Sequence, residues 1–444
     1  MSLKDKIKNK KVVVGVIGLG YVGLPLAKEF ALAGVKTIGF DLSKEKVAQL
    51  NAGKSYIPDV ETKDIASTVK KGILSATTDF SKLKDVDAVF ICVPTPFDKS
   101  KAPDLSFVCA ASESVAKYLH KDMLVILQST TYPGTTEEVV LPILEKNGLK
   151  TGVDFYLGFS PERIDPGNKK FTAKNTAKVV GGTTEKGTEL ICDLFATFID
   201  REYIVPVSCP KTAEMCKILE NTFRSVNIAL VNELAQLSER MDINIWEVID
   251  AAASKPFGYM PFYPGPGVGG HCIPVDPFYL SWKAREYDFY TKFIELAADV
   301  NMNMPHFALK KIKNALNKKG QALNGANVLV LGAAFKKDID DYRNSPAMYL
   351  MKLLREENAK LNYSDPFVPK IHIAHAIYTQ EEKPLELRSV ELSANNLKKQ
   401  DCVVISVAHS KFDYKNIVDN ADLVIDLVNA TKNIKSKKDN IIKL

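Results

Sequence analysis

The sequence lacks the features that mark exported, membrane-spanning and disulfide-rich proteins. No stretch approaches about eighteen consecutive apolar residues, and the charged N-terminal residues form no apolar targeting core, so a cytoplasmic protein is expected. Cysteine is also scarce: there are seven in 444 residues, an odd number with no CxxC spacing, which argues against a disulfide framework and against a zinc site. No metal is therefore expected.

Neither sign of charge dominates the chain. The 59 basic and 53 acidic residues leave a net charge of +6, a small excess spread along the chain apart from the lysine-rich ends 1–11 and 432–440. We interpret these ends as solvated tails, with nucleic-acid binding as a minor alternative. An apolar fraction of 46% and a charged fraction of 25% are typical of a folded globular protein, and 444 residues exceed one ordinary core. Two or three domains are predicted.

One loop concentrates glycine and proline, residues 264–277, with the sequence PGPGVGGHCIPVDP. This composition excludes regular helix and strand and allows the backbone to approach a ligand closely. The loop presents Cys272, a candidate nucleophile, four residues before the carboxylate of Asp276. For a lone cysteine the alternative, a buried structural residue in a turn, is the commoner case. Four glycines precede the thiol: Gly265, Gly267, Gly269 and Gly270.

A dinucleotide-binding pattern lies near the N-terminus. A β-branched run at 12–17 leads into GLGYVG and then into an amphipathic stretch at 24–33, which predicts strand, GxGxxG turn and helix. A second predicted strand, 36–40, ends at Asp41, whose carboxylate would accept hydrogen bonds from a ribose diol and repel a 2′-phosphate. NAD is therefore favoured over NADP. The alternative is a glycine turn in an unrelated α/β fold.

Each residue of the GxGxxG turn has an expected role. Gly18 makes the turn, Gly20 admits the pyrophosphate to the helix N-terminus, and Gly23 lets helix and strand pack closely. Tyr21 and Val22 complete the predicted cofactor-binding segment.

Three more buried strands are predicted at 87–93, 124–128 and 156–159, each followed by polar residues. The first is followed by Pro94 and Thr95, the second by Ser129 and Thr130, and the third by Ser160, Pro161, Glu162 and Arg163. Parallel strands deliver such residues to one edge of the sheet. We expect Ser129 and Thr135 to act as helix caps or turn residues, and Glu162 to be the working group.

Residues 211–241 form a helical run with neither glycine nor proline, long enough to bridge domains or to form a subunit contact. Lys217 and Asn221 share one face of this helix, where they could orient a water molecule and stabilise an oxyanion. A solvated lysine beside a surface asparagine is the alternative. Further helices at 246–253 and 276–288 predict a helical middle domain.

A second α/β unit begins near Ala326, with strands predicted at 328–331, 359–363, 402–407 and 423–427 and a helix opening near Pro346. It resembles a nucleotide-binding fold without a GxGxxG turn. Lys336 and Arg343 suit a phosphate-bearing ligand, and ordinary surface charge is an equally good interpretation on this segment alone.

In combination and order, the motifs GVIGLGYVG, CVPTP, QSTTYPG, SPERIDPG, EMCKILEN, GGHCIPVDP and FKKDIDDYRNSP resemble the UDP-glucose/GDP-mannose dehydrogenase superfamily of nucleotide-sugar 6-dehydrogenases. The resemblance spans nearly the whole chain. It implies Cys272 as nucleophile, Glu162 as the acid/base residue of a thioester step, and four water-orienting and oxyanion-stabilising residues: Thr130, Lys217, Asn221 and Asp276. The substrate-binding residues expected on this resemblance are Glu162, Arg163, Lys217, Asn221, Tyr263, Gly269, Lys336 and Arg343.

The chain departs from the UDP-glucose branch at Val275, where that branch usually has lysine, and at Pro166, where it has a second glutamate. With His271, these departures resemble the branch acting on UDP-N-acetyl sugars. Within that branch the motifs are more similar to enzymes of UDP-N-acetylglucosamine than of UDP-N-acetylmannosamine. The family's activity then implies NAD-dependent four-electron oxidation of a sugar C6 hydroxyl to the uronic acid, for surface polysaccharide precursors.

The predicted fold is α/β: an N-terminal Rossmann NAD domain (1–205), a central helical dimerisation domain with a long linking helix (206–305), and a C-terminal Rossmann-like UDP-sugar-binding domain (306–444). At least a homodimer is expected, with no nucleic-acid or membrane partner. Two other classes of function stay open. One is a two-electron dehydrogenase of the hydroxyacid kind, which has no use for Cys272, and the other is a non-catalytic redox module in which Cys272 is a switch.

Overall fold

The computed structural model describes residues 1–98, 102–164, 171–372, 386–434 and 438–444, so Pro166 lies outside the described residues. The chain divides into two compact units. The first contains Met1–Glu220 and Phe278–Phe289, and the second contains Asn221–Pro277 and Tyr290–Leu444. Within the described ranges, no helix combines the length and the apolar character needed to cross a membrane.

The first unit is built on an eight-stranded sheet in the order β3-β2-β1-β4-β5-β6-β7-β8. Strands β1 to β6 are parallel, β7 runs antiparallel to β6, and β8 is parallel to β7. The chain crosses over between β1 and β4, which opens a crevice at the carboxyl ends of these strands. The strands are β1 (Val13–Ile17), β2 (Lys36–Phe40), β3 (Leu74–Thr77), β4 (Ala88–Ile91), β5 (Leu124–Leu127), β6 (Tyr156–Phe159), β7 (Lys178–Gly182) and β8 (Ile204–Pro206).

Helices cover both faces of this sheet. The central strands are apolar at every position, as in β4 and β5, because alternate residues enter the cores on opposite faces. The helices are α1 (Leu3–Lys8), α2 (Gly23–Leu32), α3 (Lys44–Asn51), α4 (Thr62–Lys70), α5 (Ser106–Tyr118), α6 (Leu141–Leu144) and α7 (Glu185–Phe195), with a π-helical turn at Thr136–Val140 and 3₁₀ turns at Phe80–Asp85, Glu145–Asn147 and Arg201–Tyr203.

The second unit contains a five-stranded parallel sheet in the order β10-β9-β13-β14-β15 and a separate antiparallel ribbon of β11 and β12. Its crossover lies between β9 and β13. The strands are β9 (Asn327–Leu331), β10 (Lys360–Ser364), β11 (Lys370–His372), β12 (Glu386–Arg388), β13 (Cys402–Ile405), β14 (Val424–Asp426) and β15 (Ile441–Lys443).

The remaining helices include two that contribute residues to both units, α8 and α10. The helices are α8 (Pro210–Arg240), α9 (Ile245–Ala252), α10 (Asp276–Ala284), α11 (Lys292–Lys318), α12 (Pro346–Glu356), α13 (Ala394–Lys398) and α14 (Tyr414–Asn420), with 3₁₀ turns at Arg285–Tyr287 and Lys438–Asn440.

The α/β fold class and the long helix predicted at 211–241 are confirmed. The helix predicted at 276–288 changes from α to 3₁₀ geometry after Ala284. Strands β3, β7 and β8 were not predicted, because each lacks a flanking motif. The three domain boundaries stay a prediction.

Candidate functional site

The GxGxxG turn has the shape of a pyrophosphate cradle. Gly18 has a φ of +88°, and a Cβ there would lie 2.5 Å from the carbonyl oxygen of Cys92, so only glycine fits. A Cβ at Gly23 would collide with the Gly18 carbonyl, whereas one at Gly20 would meet no atom within 4 Å. Helix α2 begins here without a side-chain cap from Val22, which leaves its N-terminus suited to a phosphate. These residues fit NAD.

Asp41 lies at the end of β2 beside this turn. Its Oδ2 accepts the backbone N–H of Leu19 and its Oδ1 that of Ser43, both at 2.9 Å. Each carboxylate oxygen has two lone pairs, so both can accept a further hydrogen bond from a ribose hydroxyl. The Lys46 ammonium lies 3.6 Å from Oδ2.

Hydrogen bonds join the residues that follow β4 and β5. The Thr95 hydroxyl donates to the Thr130 carbonyl at 2.7 Å, and the Tyr279 hydroxyl donates to the Thr95 carbonyl. Ser129, rather than capping a helix, donates to the Val93 carbonyl at 2.8 Å. Thr135 bonds to the Tyr132 carbonyl within a turn, as predicted.

Glu162, which follows β6, is surrounded by hydrogen-bond donors. The Lys178 ammonium lies 2.8 Å from both carboxylate oxygens. Gln128 Nε2 donates to Oε2 at 2.9 Å, and the backbone N–H groups of Arg163 and Ile164 donate to Oε1 at 2.7 and 2.9 Å. Burial raises the pKa of the Glu162 carboxyl, but the charge and hydrogen bonds of Lys178 and the two N–H groups more than offset it, so the pKa lies below its ordinary value. Glu162 is therefore ionised at neutral pH.

Lys178 was missed by the sequence analysis. Because β7 runs antiparallel to β6, its first residue lies at the carboxyl edge of the parallel strands, next to Glu162. The one signal in the sequence is a lysine placed directly before the apolar run Val179–Val180, and this pattern is common at ordinary strand ends.

Arg163 and Lys217 also lie in the first unit. The Arg163 guanidinium binds Glu220 through Nη2 at 2.6 Å and Nε at 3.3 Å, and its Nη1 donates to the Ala177 carbonyl. Lys217 is half-buried on α8, one helical turn before Asn221.

The loop predicted at 264–277 is irregular from residue 264 to residue 275, whereas its last two residues, Asp276 and Pro277, begin α10. The Cys272 carbonyl accepts the N–H groups of Asp276 at 2.8 Å and Val275 at 3.1 Å, so Cys272 lies at the N-terminal end of α10. The Cys272 residue is exposed. Gly269 allows close packing of the loop, because a Cβ there would lie 2.8 Å from Phe335 Cβ and 2.7 Å from Pro346 Cδ.

Asn221 and Asp276 meet in the second unit. Both are buried, at 6% and 4% exposure, and Asn221 Nδ2 donates to Asp276 Oδ2 at 2.5 Å. The structure thus brings together two of the predicted water-orienting residues, at the end of the loop that carries Cys272.

Buried amides hold the start of this loop. The Gly265 N–H donates to Asn232 Oδ1 at 3.0 Å, Asn232 Nδ2 donates to Asn301 Oδ1 at 2.9 Å, and Asn301 Nδ2 donates to the Ser225 carbonyl at 3.1 Å. The sequence analysis did not identify Asn232 or Asn301, since an asparagine on a long helix is more often solvated.

Two predicted substrate contacts are engaged within the second unit. The Tyr263 hydroxyl donates to Asp250 at 2.7 Å, and its ring stacks on Trp246 with centroids 6.0 Å apart.

Arg343 binds Asp341 through two guanidinium nitrogens at 2.9 and 2.8 Å, and His271 Nε2 lies 3.1 Å from the same carboxylate. Burial raises the pKa of Asp341, but these hydrogen bonds hold it well below its ordinary value. Lys336 is half-buried on the loop after β9.

The second sheet repeats the crevice geometry of the first with one difference. Asp365, after β10, accepts the Ala333 N–H at 2.7 Å, as Asp41 accepts the Leu19 N–H after β2. Asp365 is buried, however, and its Oδ2 also contacts Nε2 of buried His409 at 3.0 Å. In the first sheet Asp41 could therefore bind a ribose. The corresponding acid of the second sheet, Asp365, is enclosed by protein.

The predicted site residues are divided between the two units. Thr130, Glu162, Arg163 and Lys217 lie in the first, and the second contains Asn221, Tyr263, Gly269, Cys272, Asp276, Lys336 and Arg343. Their joint action stays a prediction.

Comparison with known proteins matches three domain models along the chain. These are the NAD binding domain (residues 12–199), the central domain (211–303) and the UDP binding domain (329–433) of the UDP-glucose/GDP-mannose dehydrogenase family.

Individual relatives match over nearly their full length. The chain is 37% identical over 404 residues to UDP-N-acetyl-D-glucosamine 6-dehydrogenase of Salmonella typhi, covering 90% of this chain and 91% of the relative. It is 36% identical over 410 residues to UDP-N-acetyl-D-mannosamine dehydrogenase of Campylobacter jejuni, covering 90% and 96%. A solved structure of UDP-D-ManNAc dehydrogenase from Pyrococcus horikoshii is similar with a TM-score of 0.85 at 32% identity, covering 97% and 98% of the two chains.

Proposed function

Because the chain belongs to the UDP-glucose/GDP-mannose dehydrogenase family and is an NAD-dependent UDP-sugar dehydrogenase, we propose that it oxidises the C6 hydroxyl of a UDP-N-acetylhexosamine to the uronic acid. The first choice of substrate is UDP-N-acetylglucosamine, and the product would serve surface polysaccharide synthesis. The observation that carries this proposal is the buried Asn221–Asp276 hydrogen bond at the end of the loop that presents Cys272.

The proposed reaction has two oxidations on one site, for each of which bound NAD would supply the hydride acceptor. In the first, the sugar alcohol loses a proton to a base and becomes an aldehyde. The Cys272 thiolate would then add to C6, and the resulting alkoxide would take up a proton to give a thiohemiacetal. The second oxidation would remove the hydride from C6 and the hydroxyl proton, which converts this adduct to a thioester. Water adds to the thioester carbon, the C–S bond breaks, and the sulfur leaves as thiolate.

The polar residues divide the remaining work. Lys217 and Asn221 would stabilise the negative oxygen that forms at C6, and Asp276 and Thr130 would orient the attacking water. Glu162 would accept the proton that this water loses, and the lowered pKa supports only the ionised state that this role requires. Lys336, Arg343, Arg163, Tyr263 and Gly269 are the proposed substrate contacts.

The NAD site is proposed on the turn at Gly18, Gly20, Tyr21, Val22 and Gly23, with Asp41 on the ribose and Pro94, Thr95 and Thr130 at the neighbouring strand ends. The shape of the turn and the lone pairs of Asp41 support this assignment. The domain boundaries proposed for the three functions are 1–205, 206–305 and 306–444.

The sugar is the least constrained part of the proposal. Relatives named for UDP-N-acetyl-D-glucosamine and for UDP-N-acetyl-D-mannosamine match the chain at 37% and 36% identity. The FYPGPGVGGHC and PFYLSWKAREY segments favour N-acetylglucosamine. A cytoplasmic location is also proposed, supported by the lack of any disulfide among the seven cysteines, all of which are described.

We also propose a homodimer or higher homo-oligomer. Helix α8 and the residue that follows it carry an apolar stripe of Phe223, Leu230, Leu234, Leu237 and Met241, which are each between 39% and 58% exposed. Their spacing of three, four and seven residues places them on one helical face. An exposed apolar face of this length supports burial against a second copy.

The test is a screen of UDP-GlcNAc, UDP-ManNAc, UDP-GalNAc and UDP-glucose for NAD reduction, with the NADH formed counted per sugar consumed. Two NADH per UDP-GlcNAc support the proposal. One NADH identifies a two-electron dehydrogenase, and no reduction with any sugar favours a non-catalytic module. Two NADH on UDP-ManNAc or UDP-glucose would keep the mechanism and overturn the choice of sugar.

A further inference from the structure

Glu162 forms an ion pair with the buried Lys178, a residue that the proposed mechanism does not use. The Lys178 side chain is only 1% exposed and that of Glu162 13%, and the ammonium contacts both carboxylate oxygens at 2.8 Å. A buried lysine is uncommon in proteins unless it is paired.

The surroundings fix this pair in one orientation. The Lys178 ammonium lies 5.9 Å from the ring centroid of Phe195, within the range of a cation–π contact. On the other side, Gln128 Nε2 donates to Glu162 while its Oε1 accepts from the Cys92 thiol at 3.7 Å. Lys178, Glu162 and Gln128 thus come from the ends of three adjacent strands. Lys178 and Gln128 restrain the Glu162 carboxylate from different directions.

We propose that Lys178 is a positioning residue for thioester hydrolysis, because it keeps Glu162 ionised and holds the Glu162 carboxylate in one orientation through the reaction cycle. The inference rests on the proposed function, in which Glu162 accepts the proton of the water that hydrolyses the thioester. If Lys178 were removed, two backbone N–H groups and the Gln128 amide would still bond to Glu162. They would not replace the full charge of the ammonium, because a buried carboxyl group without a counter-ion becomes protonated. A protonated Glu162 could not act as a base.

The first test compares the pH profiles of kcat in Lys178→Met and Lys178→Arg with that of the unmodified enzyme. The methionine of Lys178→Met is similar in length to lysine but uncharged. In this variant we expect kcat at pH 7 to fall by about tenfold or more. The acidic limb of the kcat profile should move upward by about one pH unit or more, and KM should change less than about twofold. Lys178→Arg should restore most of the loss. A Lys178→Met profile that superimposes on that of the unmodified enzyme overturns the proposal.

The second test needs no turnover and therefore separates this inference from the proposed function. It compares urea midpoints of four proteins between pH 4 and 8: unmodified, Glu162→Gln, Lys178→Met, and Lys178→Met with Glu162→Gln. With Lys178 present, the folded pKa of Glu162 is lowered, so its contribution to stability is present above its unfolded pKa of about 4.3 and is lost as the pH falls through the folded value. Glu162→Gln should therefore lower the midpoint at pH 7.

Without Lys178, the effect of Glu162→Gln on the urea midpoint at pH 7 should change sign. Burial then raises the folded pKa of Glu162, so stability is lost as the pH rises from about 4.3 through that value. Adding Glu162→Gln to Lys178→Met should raise the midpoint at pH 7 and have little effect at pH 4. If Glu162→Gln lowers the midpoint equally in both backgrounds, Lys178 does not control the charge of Glu162. If Lys178→Met fails to fold, the proposal is still tested by comparing the urea midpoints of the unmodified protein and Glu162→Gln. An unchanged midpoint at pH 7 would contradict a stabilising ion pair.

Discussion

Asn221 Nδ2 donates a hydrogen bond of 2.5 Å to Asp276 Oδ2, and both side chains are buried. The bond joins α8 to the first residue of α10, four residues after Cys272. It fixes one carboxylate oxygen of Asp276 on the Asn221 amide. A charge-assisted bond in a buried setting is stronger than a neutral one, so this pair should affect both stability and turnover.

Asn221→Ala should lower kcat by about 10²- to 10³-fold, because it removes a preorganised donor near the reacting carbon. It should also lower the free energy of unfolding by about 1 to 3 kcal/mol, because the buried Asp276 carboxylate loses one hydrogen-bond donor. Steady-state kinetics and urea unfolding measure the two effects. Asn227→Ala is the matched control, since Asn227 lies on the same helix and bonds to the Phe223 carbonyl of its own turn. Equal effects of the two substitutions would contradict a special role for Asn221.

Asp41→Ala should weaken NAD binding and relax the preference over NADP, because the carboxylate that would bind the ribose diol and repel a 2′-phosphate is lost. Lys46, 3.6 Å away, would then be available to a 2′-phosphate. The ratio of kcat/KM for the two cofactors is the measurement. Glu45→Ala, on the exposed side of α3, controls for the loss of one acid. Equal use of both cofactors by the unmodified enzyme would show that Asp41 does not select NAD.

The sequence predicts those parts of the site that consecutive residues build. The turn at Gly18 and the acid at Asp41 belong to one βαβ unit, so their spacing along the chain is enough to predict them. Lys178 depends instead on β7 running antiparallel to β6, and Glu214 on the packing of a helix residue against the N–H groups of Gly134 and Thr136. A single charged residue in a sequence does not reveal its partner, so neither buried group could be predicted.

Leu234→Glu should convert the proposed dimer to monomers, because it places a charge in the middle of the apolar stripe on α8. Light scattering should change from the mass of two or more 49.1 kDa chains to that of one. Val153→Glu, which changes an exposed valine in a turn of the first unit, should leave the mass unchanged. A monomer mass for the unmodified protein would refute the subunit contact.

Asp365→Ala should destabilise the protein by about 3 kcal/mol or more, because several buried donors lose one acceptor. These donors are Ala333 N–H, Phe367 N–H, Val368 N–H and His409. Although burial raises the pKa of Asp365, His409 and the N–H groups hold it below its ordinary value, so its contribution should be lost as the pH falls through the folded pKa. Asp422→Ala, which breaks the exposed contact with Lys319, should cost less than about 1 kcal/mol in the same urea titration. Similar losses for both variants would argue against the buried network.

Cys272→Ser tests the covalent mechanism. A serine hydroxyl is a weaker nucleophile at neutral pH, and an oxygen ester hydrolyses less readily than a thioester, so some first oxidation should remain while product formation collapses. The loss should therefore appear in kcat far more than in substrate binding, and Cys109→Ser, on α5 of the first unit, is the control.

The slow hydrolysis variants should reveal the intermediate itself. Asp276 and Lys217 are assigned to the last step, hydrolysis of the thioester. When Asp276→Asn or Lys217→Ala is mixed with NAD and UDP-GlcNAc, a covalent sugar adduct should therefore accumulate on Cys272. Intact-protein mass spectrometry detects the added mass, and combining either variant with Cys272→Ser should abolish the thioester adduct. A Cys272→Ser enzyme that turns over at the normal rate, or the absence of an adduct with any UDP-sugar in the slow variants, would show that oxidation proceeds without the thiol. Because a two-electron dehydrogenase needs no covalent carrier, that outcome would favour the hydroxyacid type of chemistry on the same NAD-binding fold.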